Sequence, residues 1–237
     1  MKYNTILYII GFILAIIIII YVVNKLSDLR LPQVNNSLII LWDIHCKQNF
    51  INYVNKYKIY DKNIHISEIG FIIQIETNYV CFMSKHPQEY NDINVLLNGI
   101  ISVIHKFNIK NIISFSTAGS NSYKVGSVIQ FYSAIIEDPS KYKLNINQVT
   151  SKYILEKTNI IVNDPITDTK GFKLVTQGQS ASGQDEFVIY LISNKLNIPC
   201  ITFTGISDNN NVNQYHDGGG NLAAKNAVEY FYTNFNF

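Results

Sequence analysis

The hydrophobic pattern divides the chain into two unlike parts. From Ile6 to Val23 no charged residue interrupts the apolar side chains, whereas from Leu38 onward short apolar runs alternate with segments of helical period. At a rise of about 1.5 Å per residue, a helix over Ile6–Val23 is roughly 27 Å long, close to the hydrocarbon thickness of a bilayer. Isoleucine dominates the run, so insertion is favourable with no charge to oppose it. Bulky Tyr21, Val22 and Val23 stand where a signal peptidase needs small residues, so the run is expected to remain as an uncleaved single-pass anchor. Lys2 and the amino terminus on one flank balance Lys25 and Arg30 on the other, and the pattern assigns no side. Residues 1–5 are a short flank. Residues 24–36, with Pro32 and the Asn35-Asn36 pair, read as a polar stem, and 37–237 as one globular domain.

Within that domain the alternation predicts an α/β fold with a largely buried sheet. Strands are expected near 38–42, 70–76, 79–83, 111–115, 125–136, 172–176 and 199–206. Ile93, Leu96, Leu97, Ile100, Ile101 and Ile104 fall at i, i+3, i+4, i+7, i+8 and i+11, which makes a helix with one apolar stripe. A second stripe runs Phe187, Val188, Leu191, Ile192 and Leu196, and a third Leu222, Ala223, Ala227, Val228 and Phe231. The polar stretch 138–170, broken by Pro139 and Pro165, reads as loop with one helix near 147–157. Asp217-Gly218-Gly219-Gly220 reads as a flexible loop before the last helix.

Composition narrows the function classes. A chain of 237 residues that is 47% hydrophobic can bury one sizeable core. A net charge of +2, with lysines scattered among acids, gives no basic patch for nucleic acid. Arg30 is the only arginine. Cys46, Cys81 and Cys200 each sit in or beside apolar β-like runs, without the spacing of a zinc site, and are expected to be inert buried thiols.

In open α/β sheets, ligands collect at the carboxyl ends of strands. Three constellations stand at such places. Ser116-Thr117-Ala118-Gly119-Ser120 follows an apolar strand, and its small, hydroxylated residues allow close backbone approach to a polyhydroxyl or anionic ligand; a tight turn would use the same residues. Ile206-Ser207-Asp208 ends another strand, where an acid is placed to move a proton or simply to cap a turn. Gly183-Gln184-Asp185-Glu186 opens a helix, where carboxylates suit the dipole and could also grip a vicinal diol.

Taken in order, these segments resemble the purine nucleoside phosphorylase and methylthioadenosine nucleosidase superfamily. STAGS followed by YKVGSVIQF is similar to that family's small-residue loop and K-V-G-D-I-V strand, GQDEFVIYLI to its V-x-M-E helix, and NIPCITFTGISD to its V-P-F strand ending in I-S-D. The tail NLAAKNA is similar to its terminal A-A-x-N-A helix. The likeness covers roughly residues 38–237.

The resemblance implies a three-layer domain with a central mixed sheet flanked by helices. It further implies cleavage of the N-glycosidic bond of a purine nucleoside or methylthio-nucleoside. Asp208 would protonate the purine ring nitrogen. Asp185 or Glu186 would bind the ribose hydroxyls; spacing from Asp208 selects the first and side-chain identity the second. Ser116, Thr117, Ala118 and Gly119, with Ser207 beside the acid, would line the sugar and the phosphate or water site. Lys85 and His86 stand near the family's phosphate and ribose segment. Asp43 or His45 would occupy the place of the water-activating glutamate. No metal or organic cofactor is implied, and phosphate stays open as a co-substrate. The missing arginine favours water, because lysine does not supply the bidentate fork. Association into homo-oligomers is expected as well. The rival expectation, prompted by Ser120 where glycine is usual, is a membrane-tethered nucleoside-binding or structural protein with a degraded site.

Overall fold

The computed structural model describes residues 34–57, 64–131, 133–136, 139–150, 162–163, 174–176 and 179–235. The apolar run Ile6–Val23 and most of the stem lie outside them. Among the described residues no helix is long and apolar enough to cross a membrane. Val34, assigned to the stem by its polar surroundings, is instead buried in the domain, and the Asn78 side chain donates to its carbonyl at 3.0 Å.

The chain builds a mixed eight-stranded sheet between two layers of helix. Strand β1 (Ser37–Leu41) is followed by helix α1 (Ile44–Tyr57) and then by three strands, β2 (Ile64–Ser67), β3 (Gly70–Ile75) and β4 (Asn78–Met83). Helix α2 (Ile93–Lys106) leads into β5 (Asn111–Gly119), and β6 (Val128–Gln130) and β9 (Val162–Asn163) complete one edge. Helix α3 (Glu186–Leu196), strand β12 (Cys200–Asp208) and helix α4 (Gly220–Asn234) close the domain. The sheet order is β2-β3-β4-β1-β5-β12-β6-β9, with β4, β1, β5 and β12 parallel to one another.

Alternation along the central strands feeds both layers. In β1, Leu38 and Ile40 face the core that buries Leu96, Ile100, Phe187 and Ile192 of α2 and α3. Ile39 and Leu41 face the core formed with Cys46, Phe50 and Val54 of α1 and Ala227 and Phe231 of α4. A strand buried on both faces reads as a continuous apolar run, which is why SLIIL carries no polar interruption. All nine residues of β12 are buried. The parallel set β1, β5, β12 therefore presents its three carboxyl ends side by side.

Several expected elements differ. The segment 125–136 is two strands, because β6 joins the main sheet while β7 (Ser133–Ile135) pairs antiparallel with β8 (Gln148–Thr150). Residues 148–150 are thus strand where a helix near 147–157 was expected; their alternation is only three residues long and becomes visible through the partner strand. The strand near 172–176 is β10 (Leu174–Thr176), paired with β11 (Gln179–Ala181) outside the main sheet. Strand β2 and helix α1 had no counterpart in the pattern. Helix α1 buries a sparse stripe, Cys46, Phe50 and Val54 at i, i+4 and i+8, among polar residues, so Cys46 lies on a helix and not in a β run. Leu222 of the third stripe is 45% exposed. All three cysteines are buried thiols outside any disulfide.

The segment 217–220 is not a loose loop. Tyr215–Gly219 is a wide helical turn that runs directly into α4. A Cβ on Gly219 would stand 1.9 Å from the Ser207 carbonyl oxygen, so this turn is seated against the end of β12 by the absence of a side chain.

Candidate active site

A cavity of about 600 Å³ opens at the carboxyl ends of β1, β5 and β12. Asp43 reaches it from the end of β1, Thr117, Ala118 and Gly119 from β5, and Ser207 and Asp208 from β12. Gln184 and Asp185 enter from the start of α3, and His86 and Gln88 from the turn after β4. Val212, Tyr215 and His216 form the wall that follows β12. Three constellations and the Asp43 and His86 segments, scattered through the sequence, therefore share one space.

The two adjacent acids at the start of α3 go to different places. Glu186 is 1% exposed and points beneath the cavity, where Oε1 accepts from Ser116 Oγ at 2.7 Å and Thr204 Oγ1 at 2.6 Å. Its Oε2 accepts the Asp185 backbone N–H at 3.2 Å. Charge-assisted bonds of this kind let a carboxylate remain buried. Glu186 and Ser116 thus fasten α3 to β5 and β12. Asp185 faces the cavity, and its Oδ1 lies 3.4 Å from His86 Nδ1. Burial pushes the Asp185 carboxyl up to about 6, with the His86 hydrogen bond opposing the rise. For His86, burial pulls the imidazole down, but the hydrogen bond and charge of Asp185 outweigh it and hold the ring above its ordinary value.

Asp208 ends β12 with both oxygens engaged. Oδ1 accepts the Asn211 N–H at 2.9 Å and Oδ2 the Ser207 hydroxyl at 2.7 Å. Gly119 lies directly opposite: a Cβ there would stand 2.7 Å from Asp208 Oδ1 and 3.0 Å from Asn210 Oδ1. Gly119→Ala is therefore expected to displace the acid, with a loss of stability of about 1 to 3 kcal/mol measured by urea unfolding.

Asp43 is 5% exposed, and its Oδ1 accepts the backbone N–H of His45 at 2.7 Å. Its Oδ2 accepts the hydroxyl of Tyr215, a residue that the sequence pattern gave no reason to select. Burial, reinforced by the Asp43 hydrogen bond, pushes the Tyr215 phenol well above its ordinary range, so it is a donor at all ordinary pH. The His45 ring stands edge-on to Tyr215 at 5.5 Å outside the cavity lining. Lys85 is exposed and rests 5.8 Å above the Tyr90 ring, also outside the lining. A nearer cation is Lys47 of α1, which donates to the Met83 carbonyl at 2.7 Å. Burial lowers its pKa against the opposing charges of Asp43 and Asp185. No group of acids, histidines and cysteines among the described residues is arranged to hold a metal ion.

No protein-family model matches the sequence, and no curated protein matches it either. Solved structures do match, across most of the chain. A mutant futalosine hydrolase of Helicobacter pylori superposes with a TM-score of 0.63 at 11% identity, covering 84% of this chain and 98% of that one. The chain has the nucleoside phosphorylase/nucleosidase fold. A mutant 5′-methylthioadenosine/S-adenosylhomocysteine nucleosidase of the same bacterium, with 5′-methylthioadenosine in its active site, gives 0.63 at 10% identity, covering 85% and 98%. The Neisseria meningitidis nucleosidase in complex with methylthio-immucillin-A gives 0.56 at 13% identity, covering 82% and 96%. The central mixed sheet flanked by helices is thus an architecture shared with these solved structures.

Proposed function

We propose that this domain hydrolyses the N-glycosidic bond of a purine nucleoside or methylthio-nucleoside. The observation that carries the proposal is the meeting of three acids around one cavity, Asp43 from the end of β1, Asp185 from the start of α3 and Asp208 from the end of β12. Each suits a different demand of the reaction. The departing purine requires a proton, which Asp208 at the end of β12 can give. The sugar requires a fixed diol, which Asp185 grips by accepting from its hydroxyls. Water requires a base, and we assign that role to Asp43, which is held by His45 N–H and the Tyr215 hydroxyl. Neither arginine nor lysine lines the cavity among the described residues, which favours water over phosphate as nucleophile. Phosphorolysis is the alternative within the same chemistry.

The Ile6–Val23 run would tether this activity to a membrane, and self-association would suit the fold. The test is base release by the full chain in detergent, supplied with methylthioadenosine, S-adenosylhomocysteine, adenosine or inosine, with and without phosphate. Release in the absence of phosphate is expected. No release from any nucleoside would sink the enzymatic reading, and release only with phosphate would replace water by phosphate.

A further inference from the structure

Three carboxylates around one cavity, with a fourth beneath it, form an assembly that requires compensation. The only arginine, Arg30, lies outside the described residues, so among the described residues that compensation comes from other side chains. Among the described residues lining the cavity, only His86 and His216 can carry positive charge, and His86 is the one that meets an acid. Its placement is built into the turn after β4. Pro87 begins a single helical turn, and Glu89 Oε2 accepts the His86 backbone N–H at 2.6 Å, closing the turn on itself. The imidazole is thereby aimed at Asp185 from an element 99 residues away.

We propose that His86 is the positioning residue of this site: it holds one oxygen of the Asp185 carboxylate, supplies the balancing positive charge, and leaves the other oxygen to face the sugar. The inference rests on the function proposed above for its consequence in catalysis, but the pair itself is testable without any substrate. The groups that bear on the pair are few. Asp43 after β1 and Glu186 on α3 add negative charge, and Lys47 on α1 adds positive charge. The Cys46 thiol on α1 is pushed well up by burial, with Asp43 and Asp185 adding to the rise, so it stays neutral. Burial favours a protonated Asp185 and Asp185 favours a protonated His86, so the two titrate as a coupled pair.

A positioning residue should act on substrate affinity more than on the chemical step. Histidine-selective ¹³C labelling of the full chain gives five imidazole signals, and the one lost in His86→Asn identifies His86. Its titration midpoint is expected above the ordinary histidine value in the native chain, falling by about one pH unit or more in Asp185→Asn, where only the charge of Asp43 still opposes burial. A midpoint that Asp185→Asn leaves unchanged would overturn the proposal whether or not the chain is an enzyme. With a nucleoside that turns over, His86→Asn should raise KM roughly tenfold near neutral pH with kcat within about threefold, and KM should recover as pH rises and Asp185 re-ionises. A loss confined to kcat, or a KM penalty independent of pH, would equally remove His86 from this role.

Discussion

Asp208→Asn is expected to slow base release by roughly 10²- to 10⁴-fold while leaving the fold intact. The asparagine side chain has the shape of the carboxylate but no proton to give a departing purine. Its environment can accept the exchange. The amide oxygen still takes the Asn211 N–H that Oδ1 takes now. Ser207 Oγ lies 2.7 Å from Asp208 Oδ2 and 3.1 Å from the Ala118 carbonyl. Its one hydrogen can turn wholly to Ala118 while its lone pair accepts from the new amide. Single-turnover base release, beside thermal unfolding, separates the two effects. A variant that folds normally and releases base at the native rate would remove Asp208 from the mechanism. A variant that fails to fold would instead show that the acid is a structural cap.

The second large effect has opposite signs for stability and for function. Asp185→Asn is expected to stabilise the substrate-free chain near neutral pH while sharply weakening nucleoside binding. Folding raises the Asp185 carboxyl from 3.8 to about 6, so the folded state holds the proton more tightly than the unfolded chain. Its favourable contribution is complete below the unfolded value and is lost as pH rises through the folded one. Above that window the ionised acid costs the fold about 3 kcal/mol, which the amide avoids. Urea midpoints for the two proteins should converge near pH 4 and separate progressively up to about pH 7, with the variant higher. The gain is an upper bound, since His86 loses its partner in the same change. A variant less stable than the native chain at neutral pH would overturn the account of Asp185 as a destabilising, functionally retained acid. The accompanying rise in KM checks the other half: a site that keeps its affinity without this carboxylate does not use it for the diol.

These expectations depend on a distinction between neighbours that no pattern could make. Asp185 and Glu186 are consecutive at the start of α3, and their spacing and identity point to different residues for the ribose. Their separation is decided by hydroxyls on two strands: Ser116 of β5 and Thr204 of β12 draw Glu186 beneath the sheet ends and leave Asp185 at the surface of the cavity. Asp43 and His45 divide in a similar way, since the acid just before α1 accepts the His45 backbone N–H and faces the cavity while the imidazole stands edge-on to Tyr215 outside it. Tyr215 itself was hidden because its partner is 172 residues away and its segment looked like a polar linker.

What the sequence determined by itself is much of what local periodicity and an ordered set of short motifs carry. The stripe from Ile93 to Ile104 is helix α2, and the strands expected at 111–115 and 199–206 are β5 and β12; the small residues 116–119, expected as a loop, instead extend β5 to its end, as Asp208 ends β12. A side chain's burial on a regular element follows from its neighbours within one or two turns, so such features can be read in one dimension. The tertiary structure alone decided which acids face the cavity, that 148–150 is a strand, that the glycines after Tyr215 are a seated turn, and that His86 meets Asp185. Each of these is settled by contacts between residues distant in sequence. Only the closing of the parallel strands β1, β5 and β12 side by side brings those partners within hydrogen-bonding distance.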